Sequence, residues 1–368
     1  MALNTAKDRR VPFIPGTKPS IKNAQLLASS GTPSLDNIIG GGLPIGSMFI
    51  VEDDTYGIYG KVILKYFMAE GVVTEQPVFI GSQDIMPMQL VAEMPTLISK
   101  APVTQPLQSQ NMDKQMKIAW RYQNMRIVDP SPSGEQSFGH FYDLTKPMER
   151  EIINNADITE WYEEDWHEKS AVFEHGAYAS LLKSIHETLN AGEYSIYKTP
   201  AKRKLLRIAI HALGSRLWFS DSEEKSQADL IKFLYCLKTL LRNSYAIAVI
   251  TMPVDNFEHS VAVTERIEHM SDIAIKFESF AGSTMETNPL FKDYHGQLYI
   301  KKLAALNTLA ASMPESRDLV FKLRRKKFVI EVLHLPPELG DTTQREQDEM
   351  TGRSGGCMAS STKSLLDF

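Results

Sequence analysis

A chain of 368 residues is long enough for one large α/β domain with insertions, or for two small domains. Its 43% hydrophobic and 23% charged content is that of a core-forming globular protein, and a formal charge of -5 confines any nucleic-acid contact to local basic patches. Two cysteines, Cys236 and Cys357, exclude a disulfide framework and a cysteine-rich metal cluster, and fit a reducing compartment.

No apolar run approaches the roughly 20 residues that a membrane-spanning helix needs. The opening "MALNTAKDRRVPFIPGTKPS" lacks the apolar stretch of a signal peptide. The chain therefore reads as soluble and intracellular, without a membrane partner: cytoplasmic, with a nuclear pool left open.

Residues 1–25 are polar and proline-punctuated and read as an N-terminal extension, laid over the surface or mobile. Residues 26–338 read as the folded domain. "TPSLDNIIGGGLP" predicts a short helix capped by Ser34 and ended by Gly40 to Gly42. "SMFIVE" predicts a buried strand, "KVILKYFMAEG" a helix closed by Gly71, and "QPVFIGSQD" a second strand.

Residues 94–117 carry three prolines and no apolar periodicity, which predicts an insertion. "IAWRYQNM" and "SFGHFYDL" are aromatic-rich and expected to pack. "EREIINNADITEWYEEDWHEK" reads as a partly solvated helix or loop. A helix is expected over "AVFEHGAYASLLKSIHETLNAG" and a parallel-sheet strand within "LLRIAIHALGSRLW".

In "SQADLIKFLYCLKTLLRNS" the residues Leu230, Leu234, Leu237 and Leu241 recur at helical spacing, with Cys236 placed on the apolar stripe. "YAIAVITMP" reads as another buried strand. "SDIAIKFESF", "GQLYIKKL" and the pair "DLVFKL"/"KFVIEVLHL" follow, the pair joined by a basic turn from Arg324 to Lys327. Residues 339–368 are polar and Ser/Gly-rich and read as a disordered tail. Strand–helix alternation followed by a run of strands predicts an α/β domain. Its central sheet is expected to be largely parallel and flanked by helices, with antiparallel C-terminal strands.

The stretch "VEDDTYGIYGKV" stands where a strand gives way to a helix, the place of a phosphate-binding loop. A working loop, G-x-x-x-x-G-K-[ST], cradles phosphates on backbone N–H groups, reaches them with its lysine and holds Mg²⁺ with its hydroxyl. Anchored on Gly60 and Lys61, the motif meets Thr55 at the first glycine and Val62 at the hydroxyl. Anchored on the strand end, it meets Asp53 at the first glycine, and Ile58 and Tyr59 at the Gly-Lys pair. Both registers fail.

Glu52, Asp53 and Asp54 also repel incoming phosphates. One like-charge pair at about 4 Å costs about 1 kcal/mol in water and about 4 at an effective dielectric near 20. The stretch from Asp53 through Gly57 to Lys61 thus reads as a strand-to-helix turn whose acids favour the helix N-terminus. An irregular nucleotide site is the alternative.

"GTPSLDNIIGGGLPIGSMFIVE" resembles the approach to the P-loop in RecA/RadA-type ATPases. Together with "EDDTYGIYGKVILKYFMAEG", "IAWRYQ", "SFGHFYDL", "LLRIAIHALGSRLW", "DYHGQLYI" and "FKLRRKKFVIEVLHLPPEL", it is similar to the RecA-like Elongator subunit family. The resemblance implies a RecA-like fold with a degenerate P-loop. It also implies a ring with two copies each of this chain and of Elongator proteins 5 and 6. That ring joins the catalytic Elongator subunits, binds tRNA and supports wobble uridine (U34) modification.

Carried residue by residue, the family's Mg²⁺-ordering aspartate falls on His211 and its water-activating glutamate on Gln83, beside Asp84. Glutamine cannot take up a proton as a general base. With four nucleotide-handling groups altered together, the expectation is a non-catalytic subunit with no cofactor of its own. The alternative is an interface ATPase, in which Lys61 or His211 acts on ATP with residues from a neighbouring subunit.

Two basic clusters are candidate RNA contacts, since Lys and Arg neutralise phosphates and release counterions. One is Lys198, Lys202, Arg203, Lys204 and Arg207; the other is Lys322, Arg324, Arg325, Lys326 and Lys327. The alternative for each is a solvated turn or ion pairs with a neighbour. The loop following "IAVITMP", residues 254–265, corresponds to the central opening of RecA-type rings and holds no Lys or Arg. The nine histidines show no metal-ligand spacing, so no metal is expected.

Overall fold

Four short apolar runs build the middle of one sheet, and each is buried at every position, as strands covered on both faces must be. A computed structural model describes residues 14–20, 25–98, 139–163, 171–220, 222–253, 261–309, 313–314 and 316–333.

In chain order β1 (Thr17–Pro19), β2 (Leu26–Ala28), α1 (Pro33–Ile38) and β3 (Leu43–Pro44) lead to β4 (Met48–Glu52), α2 (Tyr59–Val73) and β5 (Val78–Ser82). Then come α3 (Pro87–Ala92), β6 (Pro95–Leu97), β7 (Tyr142–Pro147), α4 (Arg150–Asn155), β8 (Ile158–Trp161) and α5 (Gly176–Ala191). The sequence continues through β9 (Leu206–His211), α6 (Glu223–Arg242), β10 (Ala246–Met252), α7 (Val261–Met270) and β11 (Ile273–Ser279). It closes with β12 (Gly296–Lys302), β13 (Leu319–Arg324) and β14 (Lys327–Val332).

Among the described residues nine strands form the central sheet, in the order β14-β13-β12-β11-β4-β10-β9-β5-β8. From β11 to β8 every pairing is parallel, with Ile50 beside Ile250 and Ile208 beside both Phe79 and Ala248. β12, β13 and β14 extend it antiparallel. Alternate residues face opposite layers: Phe49, Val51, Ala209 and Val249 pack with the α2 side, while Met48, Ile50, Ile208 and Ile250 pack with α5 and α6. This mixed sheet between helical layers is the RecA-like α/β architecture. Among the described residues no helix is long and apolar enough to cross a membrane.

The local signals hold for most elements and fail where a distant partner intervenes. Ser34 does not cap α1. Thr32 holds the cap position, and Ser34 Oγ instead accepts the Ile330 N–H at 3.2 Å. α2 runs through Gly71 to Val73, because that glycine is a packing device and not a stop. A Cβ there would lie 2.8 Å from Arg207 Cδ and 2.7 Å from Val78 Cγ2.

Within the acidic stretch, Ile158–Trp161 is an edge strand on β5, not a solvated loop. The N-terminal segment supplies β1 and sends Ile14 into the core at 1% exposure, so this part of it is anchored. Cys236 is half-buried beside the α6 stripe and not in the core. Pro95–Leu97, at the start of the expected insertion, pairs with β7. Residues 99–117, "IAWRYQNM" and the tail 339–368 lie outside the described residues, as does the 254–260 part of the ring-opening loop.

Candidate functional site: a phosphate loop filled by its own carboxylate

In a parallel sheet the carboxyl ends of neighbouring strands open into a crevice, and ligands bind there. Here β4, β5, β9 and β10 deliver Asp53, Asp84, His211 and Pro253 to one cleft of about 860 Å³. Asp54, Thr55, Gly57 and Lys61 line it as well. Gly60 lies under the turn, and Gln83 is buried beside it without lining it.

The turn itself is short and self-contained. Asp53 N–H continues the sheet by donating to Met252 O at 2.9 Å. Gly57, at φ +64°, allows a return that donates its N–H to Asp54 O at 2.9 Å. Asp53 Oδ1 then accepts the Gly60 N–H at 2.9 Å and the Asp54 N–H at 3.2 Å. Gly60 stands in the first turn of α2, so the carboxylate occupies the N-terminal anion position that a nucleotide phosphate takes in a working loop. Even the approach is filled: a Cβ on Gly60 would lie 2.7 Å from Asp53 Oδ2.

The electrostatics fit a closed site. Burial pushes Asp53 up to about 7, against the lowering effect of the Gly60 N–H, and the Asp54 charge raises it further. Burial likewise pushes Glu52 to about 7, with Glu268 on α7 next in effect. Lys61 Nζ turns to Glu93 Oε2 at 3.2 Å, and Lys65 joins the same carboxylate at 3.5 Å. The lysine that would hold phosphate is thus engaged by α3's C-cap residue.

His211, at the carboxyl end of β9, is pulled down to about 4 by burial and by the Lys61 charge, so it is a neutral imidazole at pH 7. Its Nδ1 is 3.4 Å from Ser82 Oγ. Asp84, the remaining candidate base, accepts the Ser215 hydroxyl at 2.5 Å. One feature had no sequence signal: Ala212 sits at φ +49°, its N–H donating to Thr251 Oγ1 at 2.8 Å. A left-handed alanine costs roughly 1–2 kcal/mol and marks a turn fixed from outside.

The basic clusters separate. Lys198, Lys202, Arg203 and Lys204 lie before β9, at the amino ends of the parallel strands and therefore opposite the cleft. Lys198, Lys202 and Lys204 are exposed. Arg203 is tied down, donating to Lys198 O at 2.9 Å and covering the Tyr245 ring at 4.6 Å.

Arg207 does not belong to this surface. It is fully buried in β9, donating to Gln76 Oε1 at 2.6 Å and to the carbonyls of Ser29 and Phe67 at 2.9 and 3.2 Å. Being on a sheet position that faces α2, it cannot touch RNA.

The β13–β14 turn extends past the carboxyl edge, on the cleft's end of the sheet. There Arg324 and Arg325 are exposed, Lys326 pairs with Asp143 at 3.0 Å, and Lys327 lies 4.0 Å over the Phe141 ring. Lys322 is paired with Glu331.

Comparison with known proteins adds a family to this geometry. The family model described as PAXNEB protein matches residues 10–368. Elongator complex protein 4 of Danio rerio is 41% identical over 369 residues, covering 96% of this chain and 92% of the relative. Its namesake in Homo sapiens is 37% identical, covering 98% and 90%. The Saccharomyces cerevisiae protein of the same name is 21% identical, covering 87% and 76%.

Proposed function

We propose, from the premise that this chain belongs to the PAXNEB family with the Elongator complex protein 4 relatives, that it is a non-catalytic assembly subunit of Elongator. In this reading it forms a ring with Elongator proteins 5 and 6, two copies of each. The ring holds tRNA while the catalytic Elongator subunits modify the wobble uridine. RecA-like domains meeting head to tail close into rings through heterologous contacts, and the cleft would face such a boundary.

One observation carries the non-catalytic part: the Asp53 carboxylate sits on the Gly60 N–H where a phosphate would have to bind. Three supporting losses agree with it. Lys61 is engaged by Glu93, His211 is neutral and buried, and Gln83 carries no carboxylate. The chain then holds no nucleotide of its own.

Native mass spectrometry of the tagged chain, purified from its own cells at moderate salt, tests the assembly. Two copies each of three related subunits is the expected composition. A lone chain, or a homo-oligomer carrying nucleotide, would sink the reading. For the chemistry, Lys61→Ala is expected to leave any nucleotide turnover of the assembled ring unchanged. Loss of turnover with the ring intact would instead favour an interface ATPase.

The exposed loop before β9 is the better of the two RNA candidates, because among the described residues its lysines form no ion pair, whereas Lys326 and Lys322 do. Replacing Lys202 and Lys204 together by alanine is expected to weaken tRNA binding by the assembled ring. It should also flatten the dependence of log affinity on log salt by about 0.7–0.9 for each phosphate no longer neutralised. An unchanged slope, measured by filter binding from 50 to 200 mM salt (about the range over which such slopes are read), would place the RNA on another surface.

A further inference from the structure

The basic loop before β9 carries a second signal besides its lysines. The sequence holds three Ser/Thr–Pro pairs: Thr32-Pro33, Ser131-Pro132 and Thr199-Pro200. Proline-directed protein kinases take such a pair in extended form and favour a basic residue at the third position after the hydroxyl. That position is Leu35 for Thr32, Gly134 for Ser131 and Lys202 for Thr199. Thr32 is also closed to an enzyme, being 1% exposed at the start of α1. Ser131 lies outside the described residues.

Thr199 meets the structural demands as well. It is exposed and stands outside helix and strand, and Pro200 disfavours the helical conformation for the residue before it. Among the described residues neither its backbone nor its hydroxyl forms a hydrogen bond. The loop is held at its two ends instead. Ile196 N–H donates to Asn243 O at 3.1 Å, Leu206 N–H donates to Tyr245 O at 3.0 Å, and Arg203 covers the Tyr245 ring. The stretch between these anchors can enter a kinase cleft without breaking the β9 pairing.

From residue 198 to residue 204 the loop holds four cations and no acid. A phosphate on Thr199 brings a charge of about -1.5 to -2 at pH 7, with three strong acceptor oxygens. Lys198 adjoins it in the chain, and Lys202 and Lys204 are exposed on the same loop. Their ammonium groups would then serve the loop's own phosphate and not an incoming one.

We propose that Thr199 is a phosphorylation site for a proline-directed protein kinase, and that its phosphate withdraws the basic loop from RNA. In the transfer the Thr199 hydroxyl oxygen attacks the γ-phosphorus of ATP. An O–P bond forms there, the bond from that phosphorus to the ADP oxygen breaks, and the hydroxyl proton passes to the kinase's catalytic base. The site stands on the geometry of the loop, and its consequence rests on the tRNA reading above.

The test treats the full chain, alone and in the assembled ring, with ATP and a proline-directed kinase active on a Thr-Pro-x-Lys peptide. Fragment mass spectrometry is expected to find phosphate on Thr199, entering more slowly in a Lys202→Ala chain. Absence of phosphate from Thr199 overturns the site. For the phosphorylated ring, the slope of log tRNA affinity against log salt should flatten by about 1–1.8, the phosphate charge times about 0.7–0.9. A Thr199→Val ring should bind tRNA as wild type does and lose the response to the kinase. If it still responds, or if phosphate on Thr199 leaves the slope unchanged while the Lys202 and Lys204 double alanine variant flattens it, the switch is overturned. If neither the phosphate nor the double variant moves the slope, the tRNA reading of this loop fails, and the mass measurement alone decides the site.

Discussion

Arg207→Ala is expected to destabilise the chain by about 3–5 kcal/mol, the usual result of removing one member of a buried charged network. Three acceptors would each lose a donor at once: Gln76 Oε1 and the Ser29 and Phe67 carbonyls. The Phe67 ring would lose a guanidinium stacked at 4.7 Å.

Glu70 would suffer as well. It is 2% exposed, accepts the Tyr142 hydroxyl at 2.6 Å and is held below the usual carboxylate range by His140, Arg207 and Tyr142, against the opposing effect of burial. Deleting Arg207 leaves that charge with less compensation in the core. Arg207→Lys should rescue little, since one ammonium cannot satisfy acceptors spread around a planar fork. Chemical denaturation with both variants reads this directly. A loss below about 1 kcal/mol for the alanine variant would mean that the network contributes no net stability.

The second large effect concerns pH. Asp53 and Glu52 are pushed up to about 7 and Asp36 to about 6 in the folded chain, all by burial first. The folded state therefore holds protons that the unfolded state has released, from about pH 4 to about pH 7. Stability must fall as pH rises through that window. His211, pulled down to about 4, and His175, also lowered by burial, work in the opposite direction below about 6.5, two imidazoles against three carboxyls.

For Asp53 the rise from 3.8 to about 7 spans about three pH units. At about 1.4 kcal/mol for each, the cost at pH 8 is on the order of 4 kcal/mol. Asp53→Asn keeps the acceptor for the Gly60 N–H and removes the charge. Its gain over wild type is expected to be largest at pH 8 and to shrink steadily towards pH 4. Thermal melts across that range would reject the account if the variant gained nothing at pH 8.

Both predictions depend on groups whose burial was legible to different degrees. "EDDTYGIYGK" announces in sequence that the phosphate motif fails in either register and that acids gather at a helix start. That Asp53 in particular closes onto Gly60 follows only from the return of the chain at Gly57 and from the β10 pairing that fixes Asp53 N–H. Arg207 shows the reverse. Inside "AKRKLLR" it has the neighbours of a surface cation, and nothing local separates it from Lys204. Its burial comes from the β9 register between β5 and β10, which turns it onto α2, and from Gly71, which leaves room for it.

By itself the sequence determined the strand–helix alternation, the apolar stripes and the failed phosphate motif, together with the family likeness that runs along the chain. These are local or periodic properties, set by side-chain size, polarity and spacing within one element. Only the tertiary structure decided which charges are buried and what they face. It sent Ser34 to β14 and not to its own helix, placed Trp161 on an edge strand, separated the two basic clusters to opposite ends of the sheet, and closed Asp53 onto the Gly60 N–H. Each of these depends on residues far apart in the chain meeting across the sheet, and the cost of a buried charge is set by those neighbours rather than by the residues beside it in sequence.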